Sequence, residues 1–191
     1  MAIRTQHQLT EQTWFITFTC YKWLPLFEIT DSYSLVYNWL AFIREKHSIE
    51  TLAFVIMPNH VHLLLYIPDE KLNLNKLMAN AKRFMAYGLI KKLQEVENKQ
   101  LLTTLSNACS EKEKAKGQLH KVFEPSFDAK AIYSDEFWEQ KLAYIHNNPV
   151  TGKWSLGSQS TDYPHSSAAF YIDGVVHPDA EITNYYSRWD E

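Results

Sequence analysis

An α+β fold, an antiparallel sheet with helices packed on one face, is the architecture this sequence predicts, and three observations predict it. Side chains alternate between two faces with a period of two over residues 13–21 and again over 60–67. Apolar stripes of helical period stand between and after these stretches, beginning near residues 31, 74 and 134. The resulting order, strand–helix–strand–strand–helix–strand–helix, is that of a ferredoxin-like sandwich. Composition agrees with an ordinary globular chain of 191 residues, 46% hydrophobic and 21% charged. With 19 Lys+Arg against 22 Asp+Glu the net charge is −3, which excludes a generally basic coat protein of nucleic acid but not a local basic groove.

The elements follow in order. Over 13–21, Trp14, Ile16, Phe18 and Cys20 point one way and Phe15, Thr17, Thr19 and Tyr21 the other, as in a half-buried strand. Asp31-Ser32 offers an N-cap to a helix whose stripe is Leu35, Val36, Trp39, Leu40, Phe42 and Ile43, ending near His47. Residues 52–57 and 60–67 read as two strands joined at Pro58-Asn59. Proline cannot take the positive φ of the usual two-residue hairpin turns, so a wider or bulged connection is expected there. A helix over 74–96 buries Leu77, Met78, Ala81, Met85 and Leu89, whereas 103–120 is polar and aperiodic and reads as a mobile loop. A short strand at 129–133 leads to Ser134 as N-cap, with Asp135 and Glu136 in the favoured first turn of a helix that Pro149 ends.

Residues 1–150 therefore form the main domain, and 151–191 an acidic, aromatic-rich tail packing on it. Two cysteines, Cys20 and Cys109, make no disulfide framework. The polar N-terminus lacks the apolar core of a signal peptide, and no apolar run is long enough to span a bilayer. A cytoplasmic protein without membrane partners is expected.

Two groups of residues carry chemistry. In Pro58-Asn59-His60-Val61-His62 the two histidines project side by side from one strand face, as chelation of a divalent metal requires. The same spacing suits a pair of satisfied histidines capping the strand, since the motif contains no third ligand. A histidine-triad hydrolase is disfavoured because the third position is Leu64. In the last helix Phe137, Lys141, Tyr144 and Asn148 share a face, so a phenol, a cation and a carboxamide converge, beside a packing face of Trp138, Leu142 and Ile145. Taken by itself, any one of eleven tyrosines is more often a packing residue than a nucleophile.

Met57-Pro58-Asn59-His60-Val61-His62-Leu63-Leu64, followed by Tyr144-Ile145-His146-Asn147-Asn148-Pro149-Val150, resembles the tyrosine transposases of the HUH single-strand nuclease superfamily, closest to their REP-associated branch. The likeness extends over about residues 10–172, including Asp162-Tyr163-Pro164-His165-Ser166-Ser167. It implies an HUH nuclease fold and a metal-dependent single-stranded DNA endonuclease and transposase. Such an enzyme cleaves and rejoins DNA through a 5′-phosphotyrosine, on single-stranded or hairpin substrates. By the same resemblance Tyr144 is the nucleophile, and His60, His62 and Asn148 ligate Mg²⁺ or Mn²⁺, with His146 a weaker candidate for the third ligand. Imidazole ligands alone would equally permit zinc. Relatives act as monomers or as homodimers that share active sites. Many of them carry Trp where this chain has Phe123-Glu124-Pro125, and the 103–120 loop has no assignable counterpart. A non-cleaving hairpin-binding relative and a small-substrate metal phosphoesterase are the alternatives.

Charge distribution suits a DNA partner. Between residues 71 and 94 there are six cations (Lys71, Lys76, Lys82, Arg83, Lys91 and Lys92) and no acid. Lys82, Arg83, Lys91 and Lys141, with Tyr87, are the expected DNA contacts; Tyr87 is also the rival nucleophile.

Overall fold

The computed structural model describes residues 12–189, so the polar N-terminal stretch that bears on a signal peptide lies outside the described residues. Four strands form one antiparallel sheet: β1 (Thr13–Thr19), β2 (Glu50–Met57), β3 (His60–Tyr66) and β4 (Asp128–Ala131), in the order β2-β3-β1-β4. Between them run α1 (Leu26–Ile29), α2 (Ser34–His47), α3 (Leu74–Glu95), α4 (Lys99–Asn107) and α5 (Glu111–Lys114); α6 (Asp135–Asn147) and α7 (Ala168–Asp173) follow. The α+β antiparallel architecture is thus the one the patterning predicts.

The helices cover both faces of the sheet rather than one. Trp14, Ile16, Phe18, Phe54, Ile56, Val61, Leu63 and Leu65 pack with α2 and α3. Phe15, Leu52, Ala53, Val55, Met57 and Leu64 pack with Trp138, Leu142 and Ile145 of α6 and with Tyr163 and Tyr185. This explains why β1 is buried on both sides instead of half-buried: it is an interior strand with aromatic residues facing each layer. It also explains the unbroken apolar run in β2. That edge strand is covered by the tail, with Ile56 N donating to His165 O, Ser167 N to Phe54 O and Thr183 N to Thr51 O. Tyr163 Oη adds a bond to Ile56 O at 2.8 Å.

Other local expectations need correction. β2 and β3 join through the two residues Pro58 and Asn59 alone, with Met57 opposite His60; the irregularity in register lies instead between Thr51 and Ala53. Neither turn residue has a positive φ, so proline is accommodated. The turn is held from outside, Pro58 O accepting from Phe27 N and Asn59 O from Cys20 N. Asp31-Ser32 does not cap α2, which begins at Ser34, and Phe42 is exposed rather than part of the stripe. The segment 103–120 is partly helical: Asn98 caps α4, which buries Leu105, and a Ser110–Glu113 capping box starts α5. Such caps satisfy free backbone donors, and in α4 the short stripe Leu101, Leu102 and Leu105 packs on the core. Ser134 caps α6 as expected, accepting from Phe137 N.

α2 and α3 pack closely at Gly88, where an added Cβ would stand 2.6 Å from Leu35 Cδ2. A Gly88→Val substitution is expected to push the Leu35 side chain aside and cost about 1 kcal/mol, the low end of overpacking. Urea unfolding measures this; an unchanged midpoint would show that the contact yields freely.

Candidate active site

β3 begins immediately after the Pro58-Asn59 turn, so His60 and His62 project from the α6 side of the sheet at its turn end. Their ring centroids are 4.7 Å apart, and both side chains are buried. Each has its Nδ1 occupied. Asn59 Oδ1 lies 2.6 Å from His60 Nδ1, and Thr17 Oγ1 lies 2.6 Å from His62 Nδ1. Thr17 is directly opposite His62 in the β1–β3 register, so the sheet itself delivers this partner. Phe15 stacks on His62 at 5.5 Å, and Trp23 meets His60 edge-on at the same separation.

α6 brings Tyr144 to this pair from the same chain. Its ring centroid is 5.0 Å from that of His62 and 6.1 Å from that of Phe15, while about half of the residue stays exposed. One turn earlier, Lys141 Nζ sits 5.8 Å from the Tyr144 ring centre and 5.0 Å from those of Phe15 and Phe137. One turn later, Asn148 Nδ2 lies 3.4 Å from His62 Nε2. The Trp138, Leu142 and Ile145 face is buried against the sheet, which fixes the rotation that aims Tyr144 at the histidines.

Electrostatics keep the imidazoles neutral. Burial pulls His60 down to about 4, opposed by the Asn148 hydrogen bond and helped by the charge of Lys153. Burial, then the charges of His60 and Lys141, pulls His62 down to about 3. Burial also lowers the Lys141 ammonium, with Lys130 adding repulsion and Asp128 opposing it.

These residues fit a divalent metal. Neutral imidazole is the ligating form, and an Asn59 carbonyl oxygen accepting the Nδ1–H of His60 leaves its Nε2 as the donor atom. Among the described residues no group of three His, Cys, Asp or Glu side chains converges. Asn148, whose carboxamide lies beside His62, is placed where the third donor implied by the resemblance would stand. His146 is turned away: its Nε2 lies 3.0 Å from Ser167 Oγ, a hydroxyl that also donates to Phe54 O, and burial lowers it to about 4.

The expected DNA contacts divide between two places. Lys141 stands in the site, but α3 packs on the opposite face of the sheet. Lys82 Nζ donates to the carbonyls of Glu124, Pro125 and Ser126 at 2.5, 3.1 and 3.1 Å and so ties that loop to α3. Arg83 lies over Phe84, Lys91 is 3.9 Å from Glu95, and Tyr87 is largely exposed. Phe123 packs against Phe18 and Phe27. Thr17, Asn59 and Trp23 were not singled out by sequence reasoning. The position of Thr17 on the polar face of β1 was visible, but only the strand register shows which residue it serves.

The sign of the pH dependence follows from the neutral histidines. In the unfolded chain an imidazole protonates near pH 6.5, whereas folded His60, His62 and His146 resist protonation until about pH 3–4. Between these limits the unfolded state binds more protons, so stability is complete above about pH 6.5 and declines as pH falls toward 4. Urea unfolding in a chelating buffer from pH 7.5 to 4.5 should show a steadily falling midpoint; a flat profile would mean that the histidines titrate normally.

A buried imidazole pair, a half-exposed phenol and a neighbouring cation thus meet on the four-stranded antiparallel sheet of an α+β domain. Comparison with known proteins bears on this arrangement. Residues 26–107 match the family model described as transposase IS200-like. The structure is similar to that of a REP-associated tyrosine transposase bound to a REP hairpin, with a TM-score of 0.62 and 18% identity, covering 97% of this chain and 95% of that one. A putative transposase from Deinococcus radiodurans R1 gives a TM-score of 0.42 at 16% identity, over 76% of this chain and 97% of that one. No curated protein matches the sequence. The IS200-like family model covers the His60-Val61-His62 motif and ends before Tyr144, and the fold is shared with the REP-associated transposase. Among the described residues no helix is long and apolar enough to cross a membrane.

Proposed function

We propose that this protein is a single-strand DNA transposase that cleaves and rejoins its substrate through Tyr144. The observation that carries the reading is the meeting of His60, His62, Tyr144 and Asn148, from two elements some eighty residues apart, in one cluster of ring and amide contacts. The IS200-like family match and the fold shared with a transposase solved on hairpin DNA support it.

Tyr144 Oη attacks the phosphorus of a phosphodiester, forming the P–O(Tyr) bond as the P–O3′ bond breaks. The phenolic proton is lost and the departing 3′-oxygen takes one up, so the 5′-phosphate stays on the protein and a 3′-hydroxyl is released. Reversal with another 3′-hydroxyl rejoins strands. Lys141 Nζ, held over the Tyr144 ring, favours the phenolate and attracts the approaching phosphate. Thr17 and Asn59 fix the imidazole rings, and Phe15 packs against both His62 and Tyr144, which also touch each other. A Mg²⁺ or Mn²⁺ ion held by His60, His62 and Asn148 would supply charge neutralisation at the nonbridging oxygens. A half-exposed Tyr144 suits a strand laid across the site from solvent, which a paired duplex would hinder.

The test is incubation with a labelled single-stranded hairpin and Mg²⁺ or Mn²⁺, then denaturing electrophoresis and peptide mapping. A covalent adduct mapped to Tyr144 is expected. An adduct on another residue, or binding with no adduct, overturns the reading in favour of a different nucleophile or a non-cleaving hairpin binder.

A further inference from the structure

Beyond Tyr144 and the histidines, the row of rings continues. Trp23 stands 5.5 Å from His60 and is 56% exposed although aromatic. Its position is built. Lys22 and Trp23 are consecutive non-glycine residues at φ 49° and 59°, a conformation that costs about 1–2 kcal/mol per residue. Three bonds hold them there: Lys22 N donates to Glu124 Oε1, Trp23 N to Cys20 O, and Asn59 Nδ2 to Trp23 O. The last bond uses the side chain whose oxygen orients His60.

The indole borders a groove of about 370 Å³, also lined by Thr17, Thr19, Glu124 and Asp128. Thr19 is opposite His60, Thr17 opposite His62, and Asp128 opposite Thr17, so the groove adjoins the histidine pair across the sheet. Its chemistry differs from that of the site. Glu124 Oε1 already accepts from Lys22 N, and Asp128 Oδ2 lies 3.9 Å from Lys130 Nζ. Two carboxylates still disfavour a phosphate and have further lone pairs to accept from an amino group, and the exposed indole offers a flat apolar face. A group that is flat, amino-bearing and attached to a phosphate two side chains away fits all three conditions.

We propose that this groove takes one unpaired nucleobase of a strand whose phosphate lies over His60 and His62, stacked on Trp23 with its amino edge toward Glu124 and Asp128. The inference rests on reading the site as DNA-cleaving and adds a base preference to it. Cytosine and adenine present an exocyclic amine, whereas thymine presents O4, an acceptor that the carboxylates disfavour.

The test is anisotropy of fluorescein-labelled single-stranded pentamers of dC and of dT with the full chain at constant salt. Wild type should bind the dC pentamer at least fivefold tighter than the dT pentamer. Trp23→Ala should weaken dC binding about tenfold, within the range measured for base–aromatic stacking. Trp23→Asn, which keeps a left-handed backbone at low cost, should behave alike, and Trp23→Phe should restore most of the affinity. The double variant Glu124→Gln/Asp128→Asn should erase the dC preference. Equal binding of the two pentamers by wild type, or less than threefold weakening in folded Trp23→Asn, overturns the proposal. Neither measurement needs cleavage. Trp23-dependent dC binding without a tyrosine adduct would overturn the cleavage reading alone, and an adduct with Trp23-independent binding would overturn the base groove alone.

Discussion

Tyr144→Phe is expected to abolish the covalent protein–DNA adduct, by about 10³-fold or more, while leaving the fold intact. The phenyl ring keeps the edge contacts to His62 and Phe15 and its place beside Lys141, so only the attacking oxygen is lost. Because the residue is about half exposed, unfolding midpoints should change little. Tyr87→Phe provides the contrast. Tyr87 lies on α3, across the sheet from the histidines, and its removal should leave adduct formation unchanged. If the adduct survives Tyr144→Phe, the phenol of Tyr144 is not the nucleophile.

The second large effect concerns the imidazoles. His62→Ala is expected to weaken Mn²⁺ binding by calorimetry at least about 100-fold, since it removes a ligand and opens space between Phe15 and Asn148. Thr17→Val tests positioning separately: it keeps the imidazole but removes the hydroxyl 2.6 Å from His62 Nδ1. A drop of about 10–100-fold is expected there, as for other partners that orient a ligating histidine. Asn148→Ala should fall between, whereas His146→Ala, whose imidazole is bonded to Ser167, should leave Mn²⁺ affinity unchanged once its folding is verified. Mn²⁺ binding that ignores His62→Ala would overturn the ligand assignment and leave the pair as a strand cap.

Much of this was legible in local pattern. A period of two placed His60 and His62 on one strand face, and a period of 3.6 put Lys141, Tyr144 and Asn148 on one helix face, because side-chain direction in regular structure follows from sequence spacing. Long-range contacts were less so. Phe42 matched the helical stripe yet is exposed, since the stripe was wider than the surface available to bury it. α4 offers only the short stripe Leu101, Leu102 and Leu105, and α5 has none, so their starts depend on caps at Asn98 and Ser110. The cations of α3 read as one basic track, but Lys82 is bound to a loop and the helix lies behind the sheet.

By itself, then, the sequence determined the α+β class, the strand that carries the imidazoles and the helix face that carries the phenol, because each depends on periodicity within one element. Only the tertiary structure decided that these elements meet, that helices cover both sheet faces, and that Thr17, Asn59 and Trp23 complete the surroundings of the histidines. Those facts depend on strand order, register and the docking of α6, which join residues tens of positions apart and leave no spacing to read along the chain.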